Sequence, residues 1–134
     1  MPAPQVLDSY ALIAYFRDEP GGETVERLLT KAASSERQIH MTEVNYAEVK
    51  YTLIRKDGPE AWEASSRILA GLPIEFHPVT RRLADLAAGY KSAHKMSLAD
   101  AFAAALAKEK KAELITGDSE FKALEKEIKI SWLK

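Results

Sequence analysis

The chain has 134 residues, 46% hydrophobic and 29% charged, with a formal net charge of −1, the composition of an ordinary globular protein rather than a disordered or strongly basic one. That length suffices for one domain burying roughly 68% of its unfolded surface, and the absence of cysteine excludes disulfides, thiol catalysis and thiolate zinc sites. The opening MPAPQ lacks the basic and apolar regions of a signal peptide, and AFAAALA is far too short to span a bilayer, so a cytoplasmic protein with no membrane partner is expected.

In chain order, residues 4–7 (PQVL) read as a short buried strand and SYALIAYF as the helix after it, with Asp8 at the junction. DEPGG interrupts the pattern, and ETVERLLTKAA resumes it with Val25, Leu28, Leu29 and Ala32 on one face. QIHM (38–41) is a second strand. Thr42 caps a helix to about Lys56, with Val44, Ala47, Tyr51 and Ile54 as its apolar stripe and Glu48 beside that stripe. Asp57-Gly58-Pro59 turns the chain into a helix whose core face is Trp62, Ile68, Leu69 and Leu72. IEFH (74–77) is a third strand, followed by helices from Thr80 to Ala93 and from Ser97 to Lys110. ELIT (113–116) is a fourth strand, Asp118 to Glu127 a short helix, and IKISWL (128–133) a fifth strand. Strands separated by helices imply parallel crossovers and a three-layer α/β domain. Internal repeats, linkers and low-complexity tracts are absent.

Four acids stand where chemistry would need them. Asp8 and Asp118 lie where a strand meets a helix, and Asp100 lies three residues after Ser97, which opens the Ala-rich helix. Each has an alternative reading as a cap or capping-box residue. Glu48 lies mid-helix, where a carboxylate either faces solvent or finds a partner. Glu43 is about 140° from Glu48 around the helix and suits the first-turn dipole, so it is left out of the candidate set. At the carboxyl edge of a parallel sheet the capped junctions are already neighbours. Carboxylates crowded there repel unless a cation keeps them ionised, which points to Mg²⁺ or Mn²⁺.

VLDSYALIAYF, NYAEVKYTLIRKDG, SLADAFAAALA and LITGDSEFKALE, followed by ISWL, together resemble the PIN-domain ribonucleases, in particular the VapC-type toxins of toxin–antitoxin pairs, over essentially the whole chain. The resemblance implies a single PIN domain over 1–134, three-layer α/β/α, with a mainly parallel central sheet of about five strands. It implies an acidic cluster of Asp8, Glu48, Asp100 and Asp118 serving as both catalytic and metal-binding residues. Ser9 and Thr116 match the family's supporting hydroxyls, whose alternative role is backbone hydrogen bonding. The implied activity is Mg²⁺- or Mn²⁺-dependent cleavage of RNA by an activated water, with Asp8 and Asp118 or Asp100 nearest the ion and Glu48 holding water or a second ion. A cognate antitoxin and a homodimer are the implied partners. Tyr10 departs from the small residue common in the family, which bears on substrate access near Asp8.

The remaining chemistry-bearing residues read more plainly. His40, His77 and His94 are far apart with no paired spacing, so each is expected to be structural or exposed and metal-free histidine catalysis is disfavoured. Arg81, Arg82, Lys91, Lys95, Lys108, Lys110 and Lys111 form either an RNA-facing side or the solvated faces of two helices. Tyr10, Tyr15, Phe16 and Trp62 are expected in core or interface. A haloacid-dehalogenase-like phosphatase would need an acid where Tyr10 stands, and the acids and lysines of a receiver domain do not match. A stand-alone RNA-processing PIN nuclease and a non-catalytic PIN-like binding module remain the alternatives.

Overall fold

Strands of three or four residues are too short to stand alone, and here they pair into one five-stranded sheet in which every pairing is parallel. The computed structural model describes residues 3–134; Met1 and Pro2, which open the MPAPQ segment, lie outside the described residues. Strand β1 (Gln5–Leu7) leads to helices α1 (Ser9–Phe16) and α2 (Gly22–Ser34), then β2 (Ile39–Thr42). Helices α3 (Glu43–Asp57) and α4 (Pro59–Ala70) connect it to β3 (Ile74–His77), and α5 (Arg81–Ala93) and α6 (Leu98–Lys110) to β4 (Glu113–Thr116). A 3₁₀ helix, Ser119–Leu124, precedes β5 (Ile130–Trp132).

The strand order is β3-β2-β1-β4-β5. The chain first builds outward on one side of β1, then crosses to its other side, so β1 and β4 flank a topological switch point. Alternating side chains sort the core between two faces. Leu7, Ile39, Met41 and Ile115 join Leu12, Val25, Leu29, Val49, Leu53 and Trp62 beneath α1–α4. Val6 and Leu114 face the buried run Ala101–Ala107 of α6, with Leu83, Ala87 and Tyr90 of α5 and Phe121 and Leu124 of the 3₁₀ helix. This is the expected three-layer α/β/α architecture. At Gly22 a Cβ would lie 2.5 Å from the Ala14 carbonyl oxygen, so glycine lets α2 pack against α1.

Several expectations need correction. The buried positions of α3 are Asn45, Val49 and Leu53, whereas Tyr51 and Ala47 are exposed. The stripe was mis-phased because its true face begins with a polar residue. Ile68, assigned to the core of α4, is 52% exposed, while Trp62 and Leu69 are buried. The helix drawn from Asp118 to Glu127 is a 3₁₀ helix ending at Leu124, and the last strand is Ile130–Trp132 rather than 128–133. A six-residue segment anchored only by Phe121 and Leu124 buries too little to set an α-helix.

Candidate metal centre at the sheet switch point

The site begins with Asp8, the residue after β1 and the N-cap of α1. One carboxylate oxygen accepts from the Ala11 N–H at 2.9 Å, and the other accepts from the Thr116 hydroxyl. That hydroxyl itself accepts from the Asp118 N–H at 3.0 Å. Because β1 pairs with β4, with Leu7 opposite Ile115, the last residue of β4 lies beside Asp8 although 108 residues separate them. Thr116 thus ties the first and last acids through one oxygen.

Asp118 caps the 3₁₀ helix, accepting from the Glu120 N–H at 2.9 Å. Ser97 caps α6 by accepting from the Asp100 N–H at 3.1 Å, which is half of a capping box. The Asp100 carboxylate turns instead toward Asp118 and Glu120: one oxygen of each of these three groups lies within 4.8 Å of the others. Capping and clustering are therefore compatible, the backbone serving the cap while the side chain faces the cleft. Glu120 was missed in the sequence, where an acid two residues after Asp118 reads as a first-turn charge favoured by the helix dipole.

A cleft of about 300 Å³ opens above these groups, lined by Ser9, Tyr10, Ile13, Glu48, Thr52, Ser97, Asp100, Asp118 and Glu120. Glu48 stands on its α3 wall and accepts from the Tyr51 hydroxyl at 3.3 Å. Asp8 is fully buried below it. Asp8 and Glu48 are near the trio without belonging to it. The Tyr10 ring is 42% exposed at the cleft rim and lies against Gly117, where a Cβ would fall 2.6 Å from its Cζ. Tyr15 and Phe16 are half-buried and pack edge to face, and Trp62 is in the core.

Asn45, also missed, holds the walls together. Its Nδ2 donates to Ser9 Oγ at 2.9 Å and to the Ala99 carbonyl at 3.1 Å, while its Oδ1 accepts from the Thr42 hydroxyl. Ser9 Oγ, at 3.4 Å, donates to the Asn45 carbonyl. One fully buried amide thereby joins the starts of α1, α3 and α6. Its only sequence signal is its place three residues after the Thr42 cap.

The electrostatics are those of carboxylates lacking counter-charge. Burial pushes the Asp8 carboxyl up to about 7 against the lowering effect of Thr116 and Ala11, with Asp118 and Glu48 adding to the rise. Burial is again the largest cause at Asp100, raised to about 9, followed by Glu120, Asp118 and Asp8. A hard divalent cation, which takes oxygen donors, would fit the Asp100–Asp118–Glu120 set and relieve this repulsion. None of the seven basic side chains between Arg81 and Lys111 lines the cleft; all are exposed, on α5, on α6 or in the segments that directly follow these helices. His40 and His77, expected to be unrelated, meet between β2 and β3. The register, invisible to sequence spacing, joins them.

Among the described residues no helix is long and apolar enough to cross a membrane. No curated protein matches the chain. Solved structures do. VapBC2 from Rickettsia felis bound to a promoter DNA fragment aligns at TM-score 0.78 and 14% identity, covering 97% of this chain and 98% of that one. A toxin–antitoxin complex from Klebsiella pneumoniae aligns at 0.66 and 19%, covering 87% and 89%. VapC20 of Mycobacterium tuberculosis, described as a Sarcin-Ricin loop cleaving toxin, aligns at 0.71 and 20%, covering 89% and 93%. At such identities these similarities speak to fold. The PIN-domain family pattern matches residues 6–127, and the chain belongs to the PIN-domain family.

Proposed function

We propose that this protein is a divalent-metal-dependent endoribonuclease, the toxin of a toxin–antitoxin pair, built as a single PIN domain across 1–134. The observation that carries the reading is the convergence of Asp100, Asp118 and Glu120 over buried Asp8 at the switch point of a parallel sheet, where such folds bind ligands. Asp100, Asp118 and Glu120 would hold Mg²⁺ or Mn²⁺, with Asp8 beneath them. When bound, the ion supplies positive charge that offsets the phosphate and the crowded carboxylates.

The chain's own groups divide the remaining work. Asp8, fixed at both oxygens by Ala11 and Thr116, sets the floor of the cleft and the position of Asp118. Glu48, on the opposite wall, holds the attacking water and accepts its proton as the water oxygen bonds to phosphorus and the bond to the leaving sugar oxygen breaks, that oxygen taking a proton from solvent. Ser9 acts through Asn45, keeping the starts of α1, α3 and α6 at a fixed spacing. Tyr10 offers an exposed ring at the rim on which a base can stack.

The partner reading draws on the resemblance to toxin–antitoxin complexes and on apolar side chains left exposed on α3 and α4, Tyr51 at 47% and Ile68 at 52%. These offer area to a cognate antitoxin and to a homodimer partner in a cytoplasmic setting. Purified protein incubated with matched RNA and DNA oligonucleotides, in Mg²⁺, Mn²⁺ or chelator, tests the activity. RNA cleavage that chelator stops is expected; cleavage surviving chelation, or none of RNA in either ion, counts against it. Co-expression with the product of an adjacent small reading frame tests the toxin role, and relief of growth arrest is the expected result.

A further inference from the structure

A second cluster of ligand-type side chains lies outside the acidic cleft. Parallel register sets His40 opposite Glu75 and Thr42 opposite His77 on β2 and β3. His40, Glu75 and His77 therefore share the sheet face that carries Val6. His40 Nδ1 lies 2.8 Å from His77 Nε2. Glu75 spans the pair, one carboxylate oxygen 3.8 Å from His40 Nδ1 and the other 3.7 Å from His77 Nε2. The two imidazoles are largely shielded, at 17% and 13% side-chain exposure, while Glu75 is half exposed and able to swing inward.

A nitrogen pair at this distance holds one proton, donated by one ring to the lone pair of the other. Protonating both rings would set two N–H groups against each other, so at least one ring keeps the lone pair through which neutral imidazole ligates metals. Burial and the neighbouring His77 hold His40 below the usual histidine range, Glu75 opposes this, and Lys110 adds to the lowering. Replacing the shared proton with an ion would leave two nitrogens and one carboxylate oxygen directed at one point. For Zn²⁺ with nitrogens at about 2.0–2.1 Å in tetrahedral geometry, the rings need to part to about 3.3 Å, a small rotation. The donor set also separates this cluster from the cleft, since imidazole suits Zn²⁺ and its neighbours while carboxylates alone suit Mg²⁺ and Mn²⁺.

We propose that His40, Glu75 and His77 form a second metal site, selective for a borderline dication such as Zn²⁺, which staples edge strand β3 to β2 and keeps a fourth coordination position open to solvent. Two histidines and a glutamate with one open position is a known zinc donor set. Binding there stabilises the fold by mass action, because the unfolded chain does not present the three donors together.

The test is calorimetric titration of the full chain with Zn²⁺ in excess Mg²⁺, comparing wild type with Glu75→Gln, His77→Gln and Asp118→Asn. Wild type and Asp118→Asn are expected to bind one equivalent with equal affinity. Glu75→Gln and His77→Gln are expected to bind at least tenfold more weakly. Imidazole ¹⁵N resonances of His40 and His77, but not His94, shift on binding. Glu75 is half exposed, so its variant reports even if His77→Gln folds poorly. Undiminished Zn²⁺ binding in Glu75→Gln, loss in Asp118→Asn, or unshifted His40 and His77 resonances would each overturn the proposal and leave a simple hydrogen-bonded histidine pair.

Discussion

The acidic cleft and the His40–Glu75–His77 cluster are both assembled by strand register from residues distant in sequence, yet the groups they bring together differ in kind. In the cleft, Asp100, Asp118 and Glu120 crowd like charges above buried Asp8, whose carboxyl is pushed up to about 7. In the second cluster, two imidazoles satisfy each other through one hydrogen bond and an acid stands by. The cleft is frustrated without a cation, whereas the histidine pair is merely available to one. Frustration of that sort is what a functional site stores.

Five perturbations sharpen the contrast. The largest expected effect is that of Asp118→Asn, which should cut RNA cleavage roughly 100-fold or more and leave Zn²⁺ binding at the histidines intact; equal cleavage by the variant would place the chemistry elsewhere. Next is the pH dependence of stability in the ion-free protein. The raised carboxyls of Asp8 and Asp100 bind more protons folded than unfolded, so their contribution is retained below the ordinary carboxylate range and lost as pH rises toward about 9 at Asp100. The effect is on the order of a few kcal/mol. Asp8→Asn should flatten this decline in denaturation measured from pH 5 to 9, and saturating Mg²⁺ should reverse it.

The histidine cluster runs with the opposite sign. His40 is lowered, so the folded state binds fewer protons and stability is lost as pH falls below the model-peptide value of 6.5. His77→Gln should weaken that acid-side loss without touching the alkaline decline; identical pH profiles for the two variants would erase the contrast. Asn45→Ala strands Ser9, Thr42 and the Ala99 carbonyl, and should cost about 1–3 kcal/mol in chemical denaturation. The smallest effect is expected at the Arg17–Asp57 pair, which is partly exposed at 3.0 Å and screened by solvent, so Asp57→Asn should leave the denaturation midpoint close to that of wild type.

The two sites also differ in how far they can be read without coordinates. Asp8, Asp100 and Asp118 sit at element junctions, where capping chemistry marks positions and strand-to-helix order marks an edge. The fold class and all five strands followed from the same punctuation by turns and caps. Strand order did not, because local pattern carries no record of which strands pair, and with it went the Asp8–Thr116–Asp118 chain and the meeting of His40 with His77. Glu120 hid behind the ordinary preference of acids for a helix start. Asn45 hid because a polar residue on the inner face of α3 shifts the apparent stripe toward Ala47 and Tyr51, which are exposed.

The most direct measurement of the central claim is the initial rate of cleavage of a defined RNA as Mg²⁺ is titrated into chelator-treated protein, for wild type and Glu120→Gln. The cleft geometry predicts saturable activation of wild type and a shift of about 10–100-fold to higher Mg²⁺ in the variant. Cleavage independent of Mg²⁺, or a titration curve that Glu120→Gln leaves in place, would contradict it.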